Sequence, residues 1–266
     1  MNSETNPIED LRAKTLQANS IFVSFCKSGR TWCRYFLAKY LEGQGENFES
    51  KLDFPTDIFF THNFFDIHYD NELKPKIYFP DIMHDKKTIV LVRDPRDVAV
   101  SYFYQITRRQ KMNVHDQDLE SFLLSPKFGI ERHSQFVIKL LDFANDKNKD
   151  NKLILLYENI VNDSITEFRK FIRFIFDSCD ENLLKKAVRD SKFSNMRSYE
   201  IYLSSTDKKK NYFGSDTYSN DNFLKTRKGK VGSYKEELTT EFISYISGLK
   251  YTGALIDRLE SLKTDV

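Results

Sequence analysis

Short apolar runs bounded by polar residues recur along this chain of 266 residues. Ile21 to Phe25, Thr88 to Val92 and Leu153 to Tyr157 are rich in aliphatic and β-branched side chains, and Asp57 to Thr61 is a fourth such run. They are too short for helices and continuous rather than alternating, which predicts strands covered on both faces. Helical spacing follows them. Asp94 can cap a helix with Pro95 in its first position, where a missing N–H costs nothing. Ser164-Ile165-Thr166-Glu167 reads as a capping box, with Ile165, Phe168, Ile172 and Ile175 spaced to face a core. Asp180 opens another helix, with Leu183, Leu184, Ala187 and Val188 inward. Strands alternating with helices predict an α/β fold, a mainly parallel β-sheet flanked by helices. With no repeat and no Pro-rich linker, residues 1–266 read as a single domain. The polar stretch Ser204 to Phe223, with Lys208-Lys209-Lys210, reads as a mobile lid over residues 204–223.

Composition narrows the partners. There are 41 basic against 39 acidic residues, a net charge of +2, so any polyanion must be held by a local cluster rather than by bulk charge. Nucleic acid is not expected as a partner. The three cysteines (Cys26, Cys33, Cys179) make neither an even disulfide framework nor a metal spacing, which suits a reducing compartment. Met1 to Gln17 is polar and lacks the apolar core of a signal peptide, and no stretch is long enough to span a bilayer. The expectation is a cytoplasmic protein with no membrane partner.

Ligands of parallel sheets sit beyond the carboxyl ends of the strands. The first run leads into Cys26-Lys27-Ser28-Gly29-Arg30-Thr31-Trp32, a tight polar turn opening a helix. Such a turn aims backbone N–H groups at one point and suits an anion. Lys27 adds charge, and Ser28 and Thr31 add hydroxyls. A Walker A loop places its lysine after the glycines, whereas here the lysine comes first. The third run ends in Arg93-Asp94-Pro95-Arg96-Asp97-Val98-Ala99-Val100-Ser101. There Arg93 can fork onto a phosphate and Ser101 lies about two turns along the helix. Further on, Arg227-Lys228-Gly229-Lys230-Val231-Gly232-Ser233-Tyr234-Lys235 combines charge with glycines that let the backbone approach a ligand.

These segments resemble, in order, the motifs of the PAPS-dependent sulfotransferase family, of the cytosolic type: Y-P-K-S-G-T-T-W, R-N-P-x-D-x-x-x-S and R-K-G-x-x-G-D-W-K. Leu156-Tyr157-Glu158-Asn159 resembles the family's Y-E-D, and Ser191-Lys192-Phe193 its T-S-F. The resemblance runs from Phe25 to Lys235. It implies a P-loop-like phosphosulfate-binding loop and transfer of a sulfuryl group from 3′-phosphoadenosine-5′-phosphosulfate (PAPS) to a hydroxyl or amine of a small molecule. It implies that PAPS is bound by Lys27, Ser28, Gly29, Arg30, Thr31, Trp32, Arg93, Ser101, Tyr157, Phe193, Arg227, Lys228 and Gly229. Lys27 would meet charge on the leaving nucleotide, with Ser101 holding it back until an acceptor arrives.

For the base the choice is His62, in Phe59-Phe60-Thr61-His62-Asn63, which resembles K-T-H-L-P with Phe60 in place of the lysine. A neutral imidazole is available near pH 7. His68, His84, His115 and His133 are its competitors. No metal is required, since Lys27 and Arg93 can neutralise the phosphates. Phe59, Phe60, Phe64, Phe65, Tyr69, Tyr78 and Phe79 suggest an aromatic-walled acceptor pocket, where Asp66 and Asp70 could meet a cationic acceptor. The chain departs from the pattern at Cys26 for proline, Arg30 for threonine and Ser233-Tyr234 for Asp-Trp. Arg30 either adds a charge beside the phosphosulfate or points to solvent. Two alternatives remain: a P-loop nucleotide-dependent kinase, and a non-catalytic nucleotide-binding protein of the same fold.

Overall fold

The computed structural model describes residues 7–46, 58–62, 80–109, 118–206 and 224–264. Strands β1 (Ser20–Ser24), β2 (Ile58–Thr61), β3 (Lys87–Val92) and β4 (Lys152–Leu156) form one sheet in the order β2-β1-β3-β4. Every pairing is parallel: Ser20 lies beside Ile58 and Lys87, and Val92 beside Leu156. The four predicted strands are therefore present, shifted by a residue. Phe25 falls just past β1, and Tyr157 opens the next helix instead of closing β4.

Alternate residues of the strands feed two cores. Ile21, Val23, Val90 and Val92 face one side, covered by α4 (Pro95–Tyr104), α6 (Ile130–Asn145) and α12 (Lys250–Thr264). Phe22, Ile89 and Leu91 face the other, covered by α2 (Arg30–Glu42), α8 (Ser164–Phe176) and α9 (Glu181–Asp190). Phe36 stacks on Phe168 with ring centroids 3.8 Å apart, locking α2 to α8. Burial on both faces explains why the strands read as unbroken apolar runs.

The other α-helices among the described residues are α1 (Pro7–Gln17), α3 (Pro80–His84), α5 (Leu119–Leu124), α7 (Tyr157–Asn162), α10 (Phe193–Thr206) and α11 (Thr240–Ser247). Buried Lys147 donates to the Met83 carbonyl at 2.7 Å and to that of His84, satisfying the open end of α3. Asp94 caps α4 as predicted, accepting from the Arg96 N–H at 2.9 Å, and Asp180 caps α9 through the N–H groups of Asn182 and Leu183. The capping box at Ser164 is not formed. Asp163 caps α8 by accepting from the Thr166 N–H, while the Ser164 hydroxyl donates back to the Ile160 carbonyl. An aspartate one residue earlier offers the stronger acceptor, and Glu167 is left to pair with Lys170. The helix α10 runs to Thr206, so residues 204–206 of the expected lid are helical. Residues 207–223 lie outside the described residues.

Candidate active site

All four strands deliver a residue to the same end of the sheet. Lys27 follows β1, His62 follows β2, Arg93 follows β3 and Tyr157 follows β4. They share a cavity of about 250 Å³ that is also lined by Gly29, Arg30, Thr31, Trp32, Ser101, Phe193, Arg227, Lys228 and Gly229. Of the residues expected to bind the nucleotide, only Ser28 is not among the lining. It is buried within the loop, where its N–H donates to the Phe25 carbonyl at 3.4 Å.

The loop from Phe25 to Gly29 is sharply wound. Lys27 has φ of 69° and Gly29 of 108°, both left-handed, and no side chain caps the first turn of α2. Amides at the start of an uncapped helix favour an anion. Gly29 has a second reason to be glycine: a Cβ there would lie 2.6 Å from the Tyr157 ring. Tyr157 thus supports the loop from below. Its ring also carries the Arg93 guanidinium at 4.1 Å, and its hydroxyl donates to the Gly229 carbonyl at 3.2 Å.

Arg93 braces two loops at once. It donates to the Lys27 carbonyl (3.4 Å) and the Lys230 carbonyl (3.0 Å) and pairs with Asp97 at 3.3 Å. Its Nε is buried without a hydrogen-bond partner. An orphaned buried guanidinium nitrogen in a cavity fits an anionic ligand.

Asp97, fully buried, takes no part in lining the cavity. It accepts from the Gly232 N–H (2.8 Å), the Ser233 hydroxyl (3.0 Å) and the Tyr234 N–H (3.0 Å). Sequence reasoning assigned it no role, although it sits in the quoted Arg93–Ser101 motif. The departures Ser233 and Tyr234 are accommodated here: the serine hydroxyl bonds Asp97, and the tyrosine ring lies 4.6 Å from the Arg96 guanidinium.

The segment from Leu224 to Lys230 is tied to α10. Glu200, wholly buried, accepts from the Lys225 N–H (2.8 Å) and from the Thr226 N–H and hydroxyl (2.9 and 2.7 Å). Arg197 donates to the carbonyls of Thr226 and Arg227. Gly229, with φ of 63°, lies against the Phe193 ring, where a Cβ would come within 2.3 Å. Arg227, Lys228 and Lys230 of this segment are already paired. Arg227 meets Glu237 at 2.5 Å over the Tyr104 ring, and Lys228 meets Glu237 and Glu236 at 2.7 and 2.9 Å. Burial pushes the Glu237 carboxyl up, but hydrogen bonds from Lys228, Tyr104 and Arg227 outweigh it and hold its pKa at about 2.

His62 is half-buried, and its Nδ1 lies 2.8 Å from the Ser24 carbonyl. A carbonyl only accepts, so Nδ1 carries the proton and Nε2 keeps its lone pair. Burial first, and then the charge of Arg30, hold the imidazole well below its usual pKa, so it stays neutral at pH 7. Among the competitors, His84 is exposed beside Asp85, and His133 is buried, stacked on Phe25 at 4.9 Å. His68 and His115 lie outside the described residues, as do Phe64, Phe65, Asp66, Tyr69, Asp70, Tyr78 and Phe79.

Sequence reasoning missed Tyr102, Gln105, Ile106, Met196, Lys225 and Thr226 in the lining. Gln105 and Ile106 reach it because α4 widens into a π-helical turn at Gln105–Arg109, a distortion common at functional sites. Nothing in the hydrophobic pattern marks that turn. Among the described residues, no group of three or more His, Cys, Asp or Glu is placed to hold a metal ion, and no helix is long and apolar enough to cross a membrane.

Comparison with known proteins places this geometry. Residues 17–249 match the family model described as "Sulfotransferase domain". An amine sulfotransferase of Oryctolagus cuniculus is 24% identical over 254 residues, covering 88% of this chain and 80% of that protein. A 3-beta-hydroxysteroid sulfotransferase of Cavia porcellus is 25% identical, covering 65% of this chain and 56% of that protein. In three dimensions the fold is similar to a mouse sulfotransferase solved with PAP. The TM-score is 0.62 at 18% identity, over 97% of this chain and 95% of that one.

Proposed function

The chain belongs to the sulfotransferase domain family, and we propose that it transfers a sulfuryl group from PAPS to a hydroxyl of a small-molecule acceptor. One observation carries the reading: the end of β2 puts a neutral histidine with a free Nε2 into the cavity that holds Lys27 and Arg93. Sulfuryl transfer asks for alignment of donor and acceptor and for charge to be met on the leaving oxygen. PAPS brings the activated S–O bond. The residues of this chain do the rest.

The loop amides before α2 and the Lys27 ammonium hold the 5′ end, and Lys27 follows the bridging oxygen as its bond to sulfur breaks. Arg93, Arg227 and Lys228 hold the 3′-phosphate. Arg227 and Lys228 keep Glu236 and Glu237 as partners, which orient them and limit the cost of gathering like charges. Phe193 and Trp32, which line the same cavity, are the aromatic rings assigned to the adenine, and Ser101 of that lining is assigned to hold Lys27 back until an acceptor arrives. The acceptor proton goes to Nε2 of His62 as the acceptor oxygen bonds to sulfur.

Two measurements test this. The adenosine 3′,5′-bisphosphate product (PAP) should stabilise the protein in a thermal shift assay more than ATP with Mg²⁺, and labelled sulfate should pass from PAPS to an acceptor in a metabolite extract. Preference for ATP-Mg²⁺ would point instead to a kinase. PAP binding without transfer to any acceptor would point to a non-catalytic protein.

A further inference from the structure

We propose that Glu200 is a positioning residue for the 3′-phosphate; this rests on the nucleotide reading above. With Arg197 it fixes the backbone that presents Arg227 and Lys228, so that α10 sets how strongly that phosphate is recognised. A phosphate clamp needs its cations to converge on one point within hydrogen-bond reach. Residues 224–230 form neither helix nor strand, and no ladder of their own holds them in place. Their backbone needs an outside template.

One face of α10 supplies it. Glu200 is wholly buried, and its two oxygens act on adjacent residues. Oε1 accepts from the Lys225 N–H at 2.8 Å, and Oε2 from the Thr226 N–H and hydroxyl at 2.9 and 2.7 Å. Arg197, three residues earlier on the same face of the helix, donates from Nη1 to the carbonyls of Thr226 and Arg227. Four consecutive peptide units, from Leu224–Lys225 to Arg227–Lys228, are thereby each anchored to one of two side chains. The carboxylate takes the N–H groups and the guanidinium takes the carbonyls, so every one of these bonds is charge-assisted. Phe193, the first residue of α10, closes the template at Gly229, where a Cβ would lie 2.3 Å from its ring.

These contacts differ in kind from the ion pairs of Arg227 with Glu237 and of Lys228 with Glu236 and Glu237. The ion pairs orient the tips of long side chains, whereas Glu200 and Arg197 set where the stems begin. Neither Glu200 nor Arg197 lines the cavity, so their effect on the nucleotide passes through the segment. A carboxylate is needed at position 200 because all three groups that bond it there are donors. An amide would turn its own NH₂ on one of them. A buried N–H that loses its acceptor is costly, and the segment relieves the cost by shifting, which carries Arg227 with it. A misplacement of about 1 Å is enough to lose most of a directional contact.

Calorimetry with PAP and with adenosine 5′-monophosphate (AMP), which lacks the 3′-phosphate, reads the effect as the ratio of two affinities. Wild type should bind PAP at least about thirtyfold more tightly than AMP, in line with charge-assisted contacts. Glu200→Gln and Arg197→Met should each lower that ratio by at least about fivefold, with AMP affinity kept within about twofold. In a background that lacks both cations (Arg227→Ala with Lys228→Ala), adding either substitution should change the ratio by less than about twofold, because its route to the phosphate is gone. An unchanged ratio in folded Glu200→Gln would overturn the proposal. So would equal losses of PAP and AMP, the mark of a merely structural role, or a full further loss in the background without the cations. Arg197→Met, which keeps an apolar stem in place of the arginine's, decides the matter if Glu200→Gln does not fold. Equal binding of PAP and AMP by wild type would overturn the 3′-phosphate assignment itself.

Discussion

The cavity is assembled in two different ways on its two sides. Lys27, His62, Arg93 and Tyr157 are carried there by the ends of four parallel strands, so each is placed by the backbone it belongs to. The segment from Leu224 to Ser233 belongs to no strand or long helix. It is placed by side chains reaching from elsewhere: Glu200 and Arg197 of α10, Asp97 of α4, and Glu236 and Glu237 just after it. Position on the first side follows from the sheet. On the second it depends on a few buried polar contacts, each of which one substitution can remove. The first side bears the residues proposed to do chemistry, together with the phosphosulfate loop and Arg93, and the second bears Arg227 and Lys228, proposed to complete the hold on the 3′-phosphate.

The sharpest way to separate the two sides is His62→Ala. Turnover should fall by about 10²–10⁴, the usual value of general acid–base help, with PAP affinity nearly unchanged. Steady-state kinetics beside calorimetry would show it, and a parallel loss of PAP binding would mean that the sides are not separable in this way. Asp97→Ala should cut the tie between them. It leaves Arg93 and two backbone N–H groups buried without their acceptor, and should cost about 3–5 kcal/mol in a denaturant titration. Arg227→Ala affects only the second side. It should weaken PAP by about 1.5–3 kcal/mol, with much less effect on a nucleotide lacking the 3′-phosphate and little on turnover at saturation. Equal losses for the two nucleotides would move Arg227 off the 3′-phosphate.

Acid should act on the first side. Burial lowers His133 to a pKa of about 3, and burial with Arg30 lowers His62 well below 6.5. Once unfolded, both titrate near 6.5, so above that pH neither contributes to the pH dependence of stability. As pH falls below 6.5 the unfolded chain takes up protons that the folded chain refuses. Each histidine then removes up to about 1.4 kcal/mol per pH unit, for His133 down to about pH 3. His133→Phe, which can keep the stack on Phe25, should flatten that slope in urea titrations between pH 6.5 and 5. An unchanged slope would assign the acid sensitivity elsewhere.

The first side was legible in the sequence because its signals are local. An apolar run followed by Lys-Ser-Gly or Arg-Asp-Pro announces both the strand and what its end presents. On the second side the Arg227-Lys228-Gly229 run was visible but its supports were not. Glu200 and Asp97 look like ordinary helical carboxylates, and only the folded chain reveals that each satisfies backbone N–H groups 25 or more positions away. The same limit explains Ser164. The box pattern was present, but Asp163 stands next to it and binds the N–H first. The charge at Arg30 was noticed as a departure from the family pattern, while its approach to His62 from another element was not.

The conformation of Lys27 has a consequence for how this protein tolerates change. A side chain held at φ of 69° costs about 1–2 kcal/mol relative to an ordinary one, and glycine would escape that penalty. Selection for folding alone would favour glycine there, yet the position keeps the ammonium on which the proposed transfer depends. A search for more robust variants, scored by melting temperature, would be drawn to Lys27→Gly and would retire the enzyme in the process. Marginal stability at this loop is the mark of a residue kept for what it does rather than for how well it folds.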